Sequence, residues 1–269
     1  MEKWDKEKIL LKFDNLRKTL GRTPVKRDDE ILYQTVRRYF GSWNNLLNQK
    51  KISFKEFQKP NLPNVDDGRF FYFLGLLITD GHIEITRGKK HNYQIKIYTS
   101  YEDEKEMILE LIKYLFNYRA SVRERRMGFG KKLNYEIYIS SRVLCEFITN
   151  NIKIPSGNKS QIIRVPNITF KSKEDKIASF LRGVIDGDGS ILKTGAMKIV
   201  SGSEGFLKDI KFLLAKLNIK SGKLSKDKNG VYTLWVCGKD GLKNLGSQLY
   251  YLESMMFYKR KRDVWKQYI

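Results

Sequence analysis

Phe73-Leu74-Gly75-Leu76-Leu77-Ile78-Thr79-Asp80-Gly81 and Leu181-Arg182-Gly183-Val184-Ile185-Asp186-Gly187-Asp188-Gly189 are two versions of one nonamer. Each is an apolar run with a glycine inside it and an Asp-Gly pair at its end. A small residue follows each inner glycine by four positions, Thr79 after Gly75 and Gly187 after Gly183, and residues four apart share one helix face. A mid-helix glycine costs roughly 0.5–1 kcal/mol against alanine. Close approach of two helix backbones would offset that cost, so the pattern predicts that the two helices pack through Gly75 and Gly183. Asp80 and Asp188 then arrive at the same end. Two carboxylates at helix C-termini repel each other and the macrodipoles. A divalent cation reverses each of these interactions, and carboxylates with main-chain carbonyls form a hard oxygen site suited to Mg²⁺. A lone Asp-Gly is a common turn, but two matched nonamers in a chain of net charge +22 are not. An EF-hand reading of Asp186–Ser190 fails, because Met197 stands where that loop needs glutamate.

Outward from the nonamers, one order of elements runs twice. The first pass has a helix over Arg69–Thr79 and alternating strands through Ile83 and Ile85 and through Tyr93, Ile95 and Ile97. A helix at about 103–117, strands at Val122–Arg126 and Tyr135–Ile139 and a helix at Ser141–Asn150 follow. The second pass has a helix over Ile177–Gly187, then strands at Ser190–Lys193 and Met197–Val200. A helix at about 204–217, strands at Gly222–Lys226 and Tyr232–Val236 and a helical stretch from Leu242 complete it. The repeat predicts an α+β fold with an internal pseudo-two-fold, one half over 66–170 and the other over 171–269.

Ahead of the repeat, residues 1–51 read as three short helices. Asp5 and Ser42 are candidate N-caps, Gly21 and Pro24 break the chain, and Arg37-Arg38 suggests a helix-turn-helix-like DNA contact. Lys59-Pro60-Asn61-Leu62-Pro63-Asn64 favours an extended linker over 52–65. The charge of +22 calls for a polyanionic partner, with DNA or RNA first. Cys145 and Cys237 alone cannot build a disulfide framework or a four-ligand zinc site, and two histidines, His82 and His91, exclude a multi-histidine metal centre. The charged opening lacks a signal-peptide pattern. The longest apolar run, Phe70–Ile78, falls short of the roughly 18–20 residues that cross a bilayer. The expectation is an intracellular protein, cytoplasmic or nucleoid, with no membrane partner.

At the two nonamers the chain resembles the LAGLIDADG homing endonucleases of the single-chain, two-motif kind, over about 66–269. The amino-terminal stretch resembles the homing-endonuclease-associated repeat, through Leu20-Gly21-Arg22-Thr23-Pro24 and Arg38-Tyr39-Phe40-Gly41-Ser42-Trp43-Asn44. The family resemblance implies two αββαββα halves whose antiparallel sheets form a saddle over double-stranded DNA. It also implies a monomer that makes a metal-dependent staggered break. Mg²⁺ would serve it, Mn²⁺ would substitute, and Ca²⁺ would bind without supporting cleavage. The acidic motif position maps to Asp80 and Asp188, joined by main-chain oxygens of Thr79 and Gly187. The first motif departs from the pattern in having Ile78 where the second keeps Asp186. A lysine near the attacking water maps to Lys159 in Pro155–Ser160 and to Lys261 in Tyr258–Arg262, and Ser100 is a candidate for the water network.

Strand residues on the non-core face would read DNA. Gln94, Lys96 and Tyr98 share one face by the period of two, as do Arg123 and Arg125, and Lys193, Lys198, Lys223 and Lys226 are the counterparts in the second half. His82 and His91 read as incidental, and Met255-Met256-Phe257 as core. A non-cleaving DNA-binding regulator and an RNA-binding intron maturase are the alternatives on the same scaffold. An intein is disfavoured, because the terminal Gln267-Tyr268-Ile269 lacks the His-Asn used in protein splicing.

Overall fold

The computed structural model describes residues 4–20, 23–24, 28–50, 59–86, 91–127, 132–192, 196–236, 239–250 and 256–266. The chain divides into two compact units, Met1–Gln58 and Lys59–Ile269.

The first unit holds α1 (Lys6–Leu20), α2 (Glu30–Phe40) and α3 (Trp43–Gln49). Each helix starts where a short side chain can satisfy an orphan amide. Asp5 accepts from Lys8 N at 2.8 Å, Asp29 from Leu32 N at 2.8 Å and Ser42 from Asn45 N at 3.1 Å. Gly41, at φ +76°, makes the turn into α3. Ile9, Phe13, Leu32, Val36, Leu46 and Leu47 form the core of this unit. Ile31, which shares the apolar pattern of α2, is 66% exposed instead.

The second unit is built on α4 (Gly68–Thr79) and α8 (Glu174–Asp188). Residues Phe70–Ile78 are all buried, as are Ile177–Asp186. A helix apolar on every side suits a position with protein all around it. The glycines allow the closest contact. A Cβ on Gly183 would overlap the Tyr72 carbonyl oxygen and stand 3.1 Å from Gly75 Cα, and one on Gly75 would stand 2.8 Å from Val184 N.

After α4 come β1 (Gly81–Thr86), β2 (Asn92–Thr99), α5 (Glu102–Phe116), β3 (Ser121–Met127), β4 (Lys132–Ser140) and α6 (Arg142–Glu146). α6 runs on as a π-helical turn, Phe147–Ile152. A single turn, α7 (Asn167–Phe170), precedes α8. The second pass gives β5 (Gly189–Ile191), β6 (Met197–Ser201), α9 (Glu204–Lys216), β7 (Ser225–Lys226), β8 (Tyr232–Val236) and α10 (Lys239–Leu249). α11 (Lys259–Trp265) is an element that the sequence pattern does not announce. The two antiparallel sheets have the same order, β1-β2-β4-β3 and β5-β6-β8-β7. Their registers match as well: Gly81 faces Ile97, and Gly189 faces Ile199. The fold is thus α+β with two copies of αββαββα around one core that both halves share. No described helix is long and apolar enough to cross a membrane.

Candidate active site

Asp80 caps α4, and Asp188 is the last residue of α8. The glycine contact slides the two helix ends together. A Cβ on Gly187 would stand 3.0 Å from Asp80 Oδ2 and would overlap the Thr79 side chain. Only glycine at 187 therefore leaves room for the neighbouring carboxylate. Loss of water at this position pushes the Asp80 carboxyl up to about 7, and the charges of Asp188 and Glu104 add to the rise. Asp188 is solvent-exposed, yet the cleft around it displaces enough water to raise its carboxyl too.

A lysine flanks each acid. Lys159 Nζ donates to the Gly81 carbonyl at 2.6 Å, and Lys261 Nζ donates to the Gly189 carbonyl, which is the matching atom of the other half. Burial lowers the pKa of both lysines. For Lys159 the charges of Asp188 and Asp80 act against that shift. For Lys261 the charge of Arg260 adds to it, and those of Asp186, Asp80 and Glu104 oppose it. Two recesses open beside this centre. Thr79, His82, Lys159, Asn158, Phe206 and Asp188 line one. Asp80, Ser100, Glu104, Asn134, Gly187 and Arg260 line the other.

Asp186 has a separate task. Its buried carboxylate accepts from Tyr72 Oη at 2.8 Å, Tyr250 Oη at 2.6 Å and Tyr258 N at 2.9 Å. Burial raises its carboxyl to about 6 while these bonds pull it down. Arg182, one turn earlier, holds the Met256 carbonyl at 2.9 Å and the Leu249 carbonyl at 3.0 Å. The two side chains fix the segment that enters α11, and α11 carries Arg260 and Lys261 to the acids.

The donor set fits a hard divalent cation. The Asp80 carboxyl is raised by loss of water and by the charge of Asp188, the lysines beside the acids only partly offset this, and main-chain oxygens lie next to both carboxylates. Among the described residues no group of three His, Cys, Asp or Glu side chains forms a metal cluster, so any cation relies on the two aspartates and on main-chain oxygen. The Tyr258 hydroxyl, which feels the charges of Asp80 and Glu104, is buried without a hydrogen-bond partner.

The first sheet gathers the expected reading residues on one face. Gln94, Lys96 and Tyr98 on β2 stand opposite Glu84, His82 and Glu136, with Arg123 beyond Glu136 and Arg125 beside Asn134. Glu136, 2% exposed, holds Arg123 at 3.0 Å and Arg125 at 3.1 Å, and Lys96 bonds Glu84 at 2.5 Å. In the second sheet Lys198 faces Trp235, with its ammonium 5.9 Å from the ring centroid. Lys223 is exposed and precedes β7, which has two residues rather than a full strand. The Asp227–Gly230 turn takes up the chain beyond β7. Lys226 pairs with Tyr232, on the face of Met197 and Ile199 and so not beside Lys198. Lys193 lies outside the described residues, as does Met255. Met256 and Phe257 pack on the core. Arg37 and Arg38 are exposed on α2.

A family profile described as a LAGLIDADG-like domain matches residues 67–150 and 175–249, more than half of the chain. The chain belongs to the LAGLIDADG family. A homing endonuclease associated repeat precedes the two LAGLIDADG halves, at residues 4–50. Among curated proteins, a probable translation initiation factor IF-2 from Thermococcus kodakarensis is 30% identical over 56% of this chain and 12% of its own length. A glutamine–fructose-6-phosphate aminotransferase from Methanocaldococcus jannaschii is 27% identical over 71% of this chain and 15% of its own length. The chain thus spans less than a sixth of each. Among solved structures, the homing endonuclease I-DmoI in complex with DNA and Mn is 20% identical, with a TM-score of 0.54 over 70% of this chain and 98% of that one. I-DmoI has also been solved with DNA and Ca. At that identity the likeness shows the fold.

Within the LAGLIDADG frame, the motif residues come together at one centre, and Lys159 and Lys261 join them. Ser100 lines the Asp80 recess, where its hydroxyl bonds Asn134 Oδ1. Sequence reasoning missed Glu104, Arg260, Asn134 and the lining position of His82. Glu104 had one signal, an acid at the start of α5, which helices favour in any case.

Proposed function

We propose that this LAGLIDADG protein is a site-specific endonuclease that hydrolyses both strands of duplex DNA with divalent cations held by Asp80 and Asp188. The observation that carries the reading is the delivery of both acids to one centre by glycine-packed helices, each beside a lysine bonded to the matching glycine carbonyl. A bound Mg²⁺, or Mn²⁺ in its place, would neutralise the acids and the phosphate and would lower the pKa of water. Asp80 and Asp188 would hold the ion together with main-chain oxygens of Thr79 and Gly187. Water would add to phosphorus and give one proton to bulk solvent, and the bond from phosphorus to the leaving sugar oxygen would break as that oxygen takes up a proton. Lys159 and Lys261, fixed at Nζ and eased toward proton loss by burial, supply a proton donor near each scissile phosphate. The polar faces of the two sheets read the bases, and Arg37 and Arg38 of the separate helical unit add backbone contact. One chain holds both acids, so a monomer suffices.

The comparisons support homing as the biological setting. An initiation factor and an aminotransferase, unrelated in name, each match a large share of this chain within a small part of their own length, as insertion of a mobile element would produce. I-DmoI, with this fold, has been solved with DNA and Mn and with DNA and Ca. The test is a supercoiled plasmid library with randomised inserts, incubated with the protein and Mg²⁺ and sequenced at the ends produced. Staggered ends at one recurrent sequence are expected. Tight duplex binding with no cut in Mg²⁺ or Mn²⁺ would make the protein a non-cleaving regulator.

A further inference from the structure

The matched registers align the two recesses residue by residue. Gly81 faces Ile97 and Gly189 faces Ile199, so Thr99 corresponds to Ser201 and Ser100 to Gly202. The caps of α5 and α9, Tyr101 and Ser203, follow, and Glu104 then corresponds to Phe206. Lys159 and Lys261 bond matching carbonyls, so Asn158 corresponds to Arg260. The Asp188 recess has Phe206 and Asn158 where the Asp80 recess has an acid and a base.

That acid and base are joined. The Glu104 carboxylate, 2% exposed, accepts from Arg260 Nε at 2.5 Å and from Thr99 Oγ1. The guanidinium lies 4.5 Å from the Tyr101 ring centroid and 5.7 Å from that of Tyr258. Two aromatic faces and one carboxylate thus fix its plane. The Arg260 side chain is 40% exposed and lines the same recess as Asp80. A buried ion pair is a weak source of stability, and apolar replacement is often neutral or better. Phe206 shows that this fold closes without such a pair. Its presence in one half needs another reason, and a fork of fixed donors beside an acidic metal centre matches the geometry of a phosphate.

We propose that Arg260 binds a DNA phosphate in the Asp80 recess, that Glu104 is its positioning residue, and that cutting of the strand held there, and not of the strand at Asp188, depends on this pair. The proposal rests on the endonuclease reading above. The test uses the full-length protein on a supercoiled plasmid carrying a site taken from the library, with each strand labelled. In Arg260→Gln the cutting of one strand should fall at least about tenfold, consistent with loss of one charge-stabilising donor. The other strand should stay within about twofold, and nicked circles should accumulate. Glu104→Gln should slow the same strand by a smaller factor, and the untouched strand reports that the variant is folded. Binding of a duplex in Ca²⁺ should lose about one unit of salt slope in Arg260→Gln. Equal slowing of both strands, or an unchanged slope, would overturn the proposal. If the wild-type protein cuts no duplex at all, the endonuclease reading fails, and the salt slope still decides whether Arg260 touches phosphate.

Discussion

The sheet that follows Asp80 has strands of six, eight, seven and nine residues, whereas the one that follows Asp188 has three, five, two and five. Strand order and starting register are the same in both. Their polar faces differ. The first carries Glu84, Lys96, Glu136, Arg123 and Arg125 in mutual contact, and the second presents Lys198, Val200, Thr233 and Trp235. What the halves share is what positions the acids: the glycine-packed helix, the Asp-Gly end and the lysine on its carbonyl. What they do not share is the surface proposed to meet the bases. In the proposed complex, directed donors and acceptors in the first half would discriminate base edges, while an aromatic and two small side chains in the second would read shape and thymine methyl groups.

The largest effect tests the shared part. Asp80→Asn and Asp188→Asn should each reduce double-strand cleavage by about a thousandfold or more while duplex affinity holds within a few fold, as gel-shift and cleavage assays would read. Full cleavage surviving either change would mean that the halves are not catalytic copies. Lys261→Ala and Lys159→Ala should each cost roughly a hundredfold in rate, the usual scale for a missing proton donor. A large loss for one and none for the other, by single-turnover kinetics, would confine the similarity to the acids.

The next effect concerns pH. Asp80 titrates at about 7 in the fold, above the ordinary aspartate value. A raised carboxyl favours the folded state while protonated, so the metal-free protein should lose stability as pH rises from about 4 toward 7. A cation must displace that proton, so Mg²⁺ affinity should be roughly a hundredfold weaker at pH 5, about two units below the titration point, than at pH 8. Melting temperature against Mg²⁺ concentration at the two values reads both trends. A Mg²⁺-induced rise that is equal at pH 5 and pH 8 would contradict the placement of Asp80 at the cation.

Glu136→Gln sharpens the contrast between the sheets. It removes the buried charge that holds Arg123 and Arg125, whose side chains are 41% and 55% exposed. Solvent screens those partners, so the stability cost should stay near 1–2 kcal/mol. Discrimination among base pairs under the first half should relax about tenfold, while that under the second half should not move, as selection from a randomised library would show.

The legible parts of this chain were those set by local periodicity. Gly75, Gly183 and the two Asp-Gly ends follow from helical spacing, and the caps Asp5 and Ser42 follow from short side chains just ahead of apolar runs. Asp186 lies in the same nonamer, but its role depends on Tyr72, Tyr250 and Tyr258, which meet it only in three dimensions. The Glu104–Arg260 pair joins residues 156 positions apart and leaves no local trace. α11 was hidden because Lys259–Arg262 reads as a charge run, with Trp265 as its one fully buried side chain.

The smallest effect separates two lysines that composition treats alike. Lys198 stands on the polar face beside Trp235, whereas Lys226 sits at the tip of a two-residue strand with its ammonium 5.2 Å from the Tyr232 ring centroid, on the core-side face. A side chain that neutralises one phosphate contributes about one unit to the salt dependence of duplex binding. Lys198→Ala should therefore flatten the slope by about one and weaken binding a few fold across sequences, while Lys226→Ala should leave both unchanged. Equal slopes for the two variants would mean that the second half grips DNA by net charge alone, without a defined face. The contrast between an ordered reading surface in the first half and a plainer one in the second would then extend to the phosphates as well as the bases.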